Sequence, residues 1–551
     1  MRSSSLAVKR PHFQATAGRT MRISFPLQSV PSRQLRGAAL SSPHLMKRVF
    51  GIETEYGITV DGIDDLDVVR ESIEIVRSYT EHGASMKWDY KLEDPHQDAR
   101  GFRAEELLQD TDEAAYYELD RARPLSFQEI KSDLVLSNGA RFYNDHAHPE
   151  YSTPECTTLA EIVAQDKAGE RILAECARRR NSHLPEGCEA RLYKNNTDFV
   201  GHSYGCHDNY LMLRSVPWDR LVRDVVPFLV TRQIVAGAGK MGIEGEDAAG
   251  QPGVYQLAQR SDFFAVLCSI DTMNRRPLVN TRDEPHADAE RWRRFHVIAG
   301  DANMSQWATA LKMGTTALML DVIEQGKAPQ LELADPIEAA KQISRDPSCK
   351  WVMELIDGRK ISAVDVQRLC LSAAHECCNP NDPDTAWVLR EWESVLDDLA
   401  TDYWKCRDRL DWVAKKFLLQ TFQEAEKLEW SDPWLQSIDL EYHNVSLENG
   451  LYYELVRTKQ MRRIIEEDQI RVAIFQPPST TRAFFRGRAV ARFNREIEAI
   501  QWDEIVFHND GTTLNVMFEE PAHDERLDRL NGAIRAATSF ADLSARIALK
   551  G

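Results

Sequence analysis

From Arg48 onward, short runs alternate apolar and polar residues, and in several of them the charged residues fall on one side. In Gly51-Ile52-Glu53-Thr54-Glu55-Tyr56-Gly57-Ile58, the residues Ile52, Tyr56 and Ile58 share one face of an extended strand. Glu53 and Glu55 share the other, about 6–7 Å apart at the usual rise per residue. In Asn138-Gly139-Ala140-Arg141-Phe142-Tyr143-Asn144-Asp145, the period of two points Arg141, Tyr143 and Asp145 the same way. His207 and Asn209 pair in the same manner, as do Asn280 and Arg282, and His296 lies in another short run. Five such strands predict a sheet whose concave face is polar. Helical periods also occur: Leu159, Ile162, Val163, Ile172 and Leu173 follow Thr157-Thr158, with Glu161 in the first turn, where a carboxylate suits the helix dipole. Residues 386–399 and 414–428 read as two more amphipathic helices. The mixture predicts an α+β fold with helices packed behind the sheet.

Three stretches depart from this pattern. Residues 1–52 contain no Asp or Glu, while Arg2, Lys9, Arg10, Arg19, Arg22, Arg33 and Arg36 are scattered among Ser, Pro and Ala. Such a segment cannot bury a core and reads as a disordered leader over 1–45. It fits an organellar targeting peptide, but Met46 stands directly before the strand-like Lys47-Arg48-Val49-Phe50, and a start assigned too early is the preferred reading. Residues 103–131 are crowded with acidic side chains, including Glu105, Glu106, Asp110, Asp112 and Glu113, and read as a mobile insertion with a short helix around 114–119. Gln476-Pro477-Pro478-Ser479 marks a boundary. The expected organisation is a large domain over 46–476 and a small C-terminal domain over 477–551.

Composition then narrows the class. With 43% hydrophobic and 28% charged residues, the chain is globular in type. No apolar run reaches about 18 residues, so no membrane-spanning helix is expected. The net charge of −18 argues against general affinity for nucleic acid or anionic membrane. Ten cysteines, with the vicinal pair Cys377-Cys378 and no CxxC spacing, read as reduced thiols of a cytoplasmic enzyme.

The polar face suggests the chemistry. Glu53 and Glu55 repel one another unless water or a cation lies between them, and hard Mg²⁺ suits such a pair while leaving positions for phosphate. A solvated outer strand face is the alternative for this pair taken alone. Arg, Tyr and Asp on one strand suit phosphate binding, metal or water ligation, and a carboxylate acting as base or nucleophile. His146-Ala147-His148 lacks further Cys or His ligands at zinc spacing. Gly201-His202-Ser203-Tyr204-Gly205 fits a nucleophile elbow, but the following residues read as a strand and not a helix. The glycine run at 237–242 is followed by a loop-like stretch where a dinucleotide site needs a helix. No Walker A sequence is present. What remains is a metal–nucleotide site for phosphoryl chemistry without a P-loop.

The motifs at Gly51 to Gly57, Asn138 to Asp145, His148-Pro149-Glu150-Tyr151, Tyr193-Lys194-Asn195-Asn196, Ser203-Tyr204-Gly205-Cys206-His207 and Asn280 to Asp288 resemble those of the Pup ligase and Pup deamidase/depupylase family of bacterial pupylation. The resemblance covers nearly everything from Arg48 to the end. It implies a glutamine-synthetase-like (carboxylate-amine ligase) fold, a curved antiparallel sheet cradle backed by helices with a small C-terminal domain. It also implies Glu53, Tyr143 and Glu150 as Mg²⁺ ligands, Arg141, Thr153 and Trp502 as contacts of ATP (or ADP plus phosphate), and Asp145 as the catalytic carboxylate. The shared strand faces add Glu55, His207 and His296 to the metal candidates and Arg282 to the nucleotide candidates. Asp208 stands where the family usually has Glu. The implied partners are Pup, pupylated proteins and the bacterial proteasome system.

Within the family, Lys87-Trp88-Asp89-Tyr90, Pro95, Asp98-Ala99-Arg100-Gly101-Phe102 and the 145–151 spacing resemble the depupylase branch, as does an insertion over about 88–131. Gly51-Ile52-Glu53-Thr54-Glu55 has the ligase form. The resulting expectation is an ATP/Mg-dependent Pup deamidase and depupylase, with a Pup–protein ligase as the alternative and an inactive Pup-binding protein as the non-enzymatic one. Pup is acidic in this family and so is this chain, which calls for a locally basic groove; Arg291, Arg293, Arg294 and residues 457–463 are the candidates.

Overall fold

The alternating run at 50–61 forms two strands, not one. Phe50–Glu55 enters the main sheet, while Gly57–Asp61, after a break at Tyr56, pairs with Glu189–Tyr193. The computed structural model describes residues 48–80, 84–108, 124–244, 253–272 and 275–548, which belong to one compact unit. The 1–45 leader and the helix expected at 114–119 lie outside the described residues. Among those residues the main sheet has seven strands, in the order Trp292–Val297, Cys206–Leu213, Phe50–Glu55, His148–Ser152, Arg141–Asp145, Leu134–Leu136 and Ala84–Ser85. Every neighbouring pair is antiparallel. The register sets Glu53 opposite His207 on one side and Ser152 on the other, Glu150 opposite both Glu55 and Tyr143, and Asn209 opposite His296. A period of two in each strand therefore gathers these side chains on one face.

The other face is apolar. Phe50, Ile52, Tyr210, Met212, Phe295 and Val297 join the largest core with the helices Leu159–Asn181, Trp218–Ala236 and Gln306–Glu324. Phe142 and Tyr151 pack with Ile75 and Val76 of the helix Val68–Arg77. The first of these helices starts where the sequence predicts: Thr158 accepts from the Glu161 backbone N–H and Glu161 accepts from Thr158, a reciprocal cap that satisfies two otherwise orphaned donors. Helices Pro383–Thr401 and Asp411–Glu426 cover the other two predicted segments. Asp208 lies on the buried face, 2.5 Å from Arg232 and 3.6 Å from Lys312, so its shorter side chain bears on packing and not on the polar face.

Some expectations are corrected. Pro277–Asn280 is not part of the main sheet; it pairs in parallel with Val266–Ser269, and the Asn280 amide donates to the Ser269 and Ile270 carbonyls instead of facing the site. His148–Ser152 takes the place of the fifth polar strand. Residues 291, 293 and 294 form no basic groove: Arg291 is paired with Glu520, Arg293 is buried and donates to the Val216 carbonyl, and Arg294 turns to the polar face. The glycine run at 237–242 follows a helix, where a dinucleotide site needs a strand. The flanks of the acidic insertion are pinned: Thr281 donates to Asp98, the Asp94 N–H to Glu284 and the Leu108 N–H to Asp271.

After residue 481 come the helix Arg482–Phe493, an antiparallel three-stranded sheet (Ile497–Ile500, Glu504–Asn509, Thr512–Met517) and the helices Glu525–Ala536 and Phe540–Ala548. Their apolar cluster includes Phe485, Phe507, Ile534 and Phe540, and also takes in Trp88 and Val135 from the earlier chain. Half-buried Glu155, just past the His148–Ser152 strand, accepts from Arg482 at 2.7 Å and from Arg486, tying this segment to the sheet. No described helix is long and apolar enough to cross a membrane.

Candidate active site

Two groups of ligand-type side chains lie side by side on the polar face. In the first, Glu53 lies 3.3 Å from His207 and 3.6 Å from His296, and accepts from Asn209 at 3.1 Å and from Arg294 at 3.4 Å. In the second, Glu55, Asp145 and Glu150 each bring an oxygen within 4.8 Å of the others. The backbone permits this crowding at Gly205, where a Cβ would come 2.6 Å from His207 Nε2 and 2.7 Å from Glu55 Oε1.

The electrostatics of the two groups differ. Burial opposes charge on Glu53, but the His207 hydrogen bond, the adjacent His296 ring and the Arg294 charge hold its carboxyl well below the usual carboxylate range. Burial, then Arg294, pushes His296 down to about 3, leaving a neutral imidazole able to ligate a metal. Glu150 is driven well above the ordinary carboxylate range by burial and by Asp145, Glu53 and Glu55. A hard divalent cation among Glu55, Asp145 and Glu150 would relieve that repulsion, so the donor set fits Mg²⁺. Burial and the carboxylates of Glu150 and Asp145 hold the Tyr143 phenol well above its ordinary value, which leaves it protonated. Partial burial opposes charge on Asp145, yet the Lys131 ammonium at 2.5 Å, with His146 and Arg141, holds it below the ordinary range.

Asp145 stands where two cavities meet. One, of about 500 Å³, is lined by Arg141, Lys131, Tyr90, Arg282 and Trp502. The other, of about 340 Å³, runs from the carboxylates past His148 and Tyr204 to Asp198 and His202, with Ile58 and Val68 as an apolar wall. In the first cavity Arg141 donates to Asp133 at 2.7 Å and lies 4.1 Å over the Trp88 ring and 4.0 Å over Tyr143, while Trp88 meets Trp502 edge-on at 5.4 Å. Thr153 is buried beside a neighbouring apolar recess also lined by Gly51, Leu211 and Trp502, and its hydroxyl accepts from the Ile52 N–H. Arg282 lines both main cavities, and its Nε makes no hydrogen bond among the described residues. Guanidinium groups near an aromatic wall and a recess form a cradle that fits a nucleotide and its phosphates.

The eleven residues expected to bind metal or nucleotide or to act as the catalytic carboxylate therefore lie on this face or line its cavities and the adjoining recess, whereas Asn280 and Asp208 do not. The sequence reading missed Lys131, Asp133 and Arg294 as site residues, and also Glu93, which accepts from the Trp88 indole N–H at 2.7 Å and lies 3.7 Å from Arg141. Arg294 stands one strand position from a named neighbour and was legible from the alternation of 292–297. Lys131 and Asp133 reach the site from an irregular, acid-rich segment with no periodicity to mark them.

Residues 48–506 match the model of the family described as Pup-ligase protein. The chain is 45% identical over 476 residues to a depupylase of Acidothermus cellulolyticus, covering 85% of this chain and 92% of that one. It is 37% identical over 501 residues to a Pup–protein ligase of Acidimicrobium ferrooxidans, covering 89% and 99%. Two solved structures share the fold: the ligase PafA in complex with Pup (TM-score 0.71, 30% identity, 90% of this chain and 94% of that one) and PafA in complex with ADP (TM-score 0.67, 32% identity, 80% and 98%). Every strand of the main sheet falls within the matched residues, and the chain belongs to the Pup-ligase protein family.

Proposed function

We propose that this protein is a nucleotide- and Mg²⁺-dependent depupylase and Pup deamidase. The observation that carries the reading is the docking onto the site, through Trp88, Tyr90 and Lys131, of the described ends (88–108 and 124–131) of a segment whose sequence resembles the depupylase branch. The identity to the depupylases, 41–45%, is slightly above that to the ligases, 37–40%, which leans the same way. In the reaction, the bond between the side-chain carbonyl carbon of Pup's last residue and a lysine nitrogen, or ammonia when that residue is Gln, is broken. Water supplies the oxygen to the carbon and a proton to the leaving amine. Asp145, ionised and at the junction of the cavities, either attacks that carbon or takes the proton from water.

Glu53, Glu55, Tyr143, Glu150, His207 and His296 would hold Mg²⁺, and Arg141, Thr153, Arg282 and Trp502 would contact ATP, or ADP and phosphate. The bound metal and nucleotide supply charge compensation for the carboxylates and polarise the carbonyl. Ten free cysteines suit a cytoplasmic setting beside the proteasome system.

The ligase is the second reading, favoured by the Glu53-Thr54-Glu55 motif and by the likeness to PafA. The test is a denaturing gel of the protein with ATP and Mg²⁺, given a Pup-conjugated protein in one lane and free target plus Pup ending in Glu in another. Release of target supports the depupylase. A heavier conjugate without release makes it a ligase, and silence in both lanes with ATP bound leaves a Pup-binding protein.

A further inference from the structure

Lys131 is the one site residue whose head group matches a reactant. It closes the helix Phe127–Lys131, whose start is fixed by a reciprocal Ser126–Glu129 cap and whose Ile130 carbonyl accepts from Asn144 of the adjacent strand at 3.0 Å. Phe127 meets Tyr90 edge-on at 4.9 Å, and Ser132 turns the chain away in a left-handed conformation (φ 48°). The backbone therefore aims Lys131 into the site, and its Nζ lies 2.5 Å from Asp145 Oδ1 and 5.7 Å from the centroid of the Tyr143 ring. Both side chains are covered, at 19% and 25% exposure.

An amide-cleaving or amide-forming reaction at Asp145 brings a second nitrogen to the same carboxylate, that of a protein lysine. A primary amine on a four-carbon stem is also what Lys131 presents. Two ammonium groups at one carboxylate repel each other, so Lys131 disfavours a second one there. We propose that Lys131 is an internal occupant of the lysine-amine subsite: it holds the Asp145 carboxylate in place when no substrate lysine is there, and it competes with substrate or product lysine for it. The second cavity, with Ile58 and Val68 along its wall, supplies an apolar path for the stem of the incoming lysine. This inference rests on placing Asp145 at the reacting carbon, but not on which of the two reactions follows.

The experiment is calorimetric titration of the full chain, loaded with ADP and Mg²⁺, with Nα-acetyl-lysine methylamide, which needs no turnover and so is separate from the gel above. Lys131→Met is expected to bind the probe at least tenfold more tightly than wild type, and Lys131→Arg to stay close to wild type. The gain is expected to vanish in Lys131→Met combined with Asp145→Asn. Equal affinity in wild type and Lys131→Met overturns the proposal. So does a loss of ADP affinity in Lys131→Met with probe affinity unchanged, which would assign Lys131 to the phosphates. Unchanged thermal unfolding of Lys131→Met controls for folding.

Discussion

At the scale of single residues, the polar face carries two kinds of carboxylate with different consequences. Asp145 is held ionised by Lys131 and touches both cavities, so Asp145→Asn is expected to abolish release of target while leaving ADP affinity within about twofold; undiminished turnover would remove Asp145 from the reaction. Asp208 is three strands away in the same sheet and on the buried face, with no exposure, clamped by Arg232. Truncating it strands a buried guanidinium, and Asp208→Ala is expected to cost about 3–5 kcal/mol in urea unfolding. What sequence alone revealed here follows from this geometry. Alternation is a local property, so Glu53, Glu55, Arg141, Tyr143, Asp145, His207 and His296 could be assigned to one face without a fold. Asp133 and Lys131 could not, because their place depends on where a turn and a five-residue helix put them.

At the scale of elements, the segments with strong periodicity and a cap were legible, and those defined by partners were not. The helix Leu159–Asn181 announces itself through Thr158 and Glu161, and Thr158→Ala is expected to cost about 1 kcal/mol of stability with turnover unchanged. An unfolding midpoint equal to wild type would show that the cap contributes nothing. By contrast, Pro277–Asn280 has the alternation of a sheet strand yet pairs only with Val266–Ser269. Alternation says that a strand has two unlike faces, but not which strand lies beside it.

For the molecule as a whole, the joint between the sheet and the chain beyond residue 481 rests on half-buried Glu155. Burial opposes its charge, but Arg486 and Arg482 lower its pKa to about 2, against an ordinary value of 4.5. Because the folded value is the lower one, the stabilisation is complete above about pH 4.5 and is lost as pH falls towards 2. Wild type is therefore expected to lose stability steeply between pH 4.5 and 2. Glu155→Gln should be less stable at neutral pH and flatter across that window; parallel curves for the two proteins would refute the linkage. The break between the helices Glu467–Phe475 and Arg482–Phe493 was readable from its prolines. That the following segment would share an apolar cluster with Trp88, and lend Trp502 to the cavity wall, was not, because nothing local marks a contact across some 400 positions.

The order of strands in the main sheet has a consequence for synthesis. Phe50–Glu55, which bears Glu53 and Glu55, is the first strand of this sheet to leave the ribosome, yet both of its neighbours, His148–Ser152 and Cys206–Leu213, are made much later. Until then it has two open edges, the condition in which a nascent strand recruits wrong partners. The Trp502 wall is translated later still. A chain halted before Trp502 holds the carboxylates without that part of their enclosure.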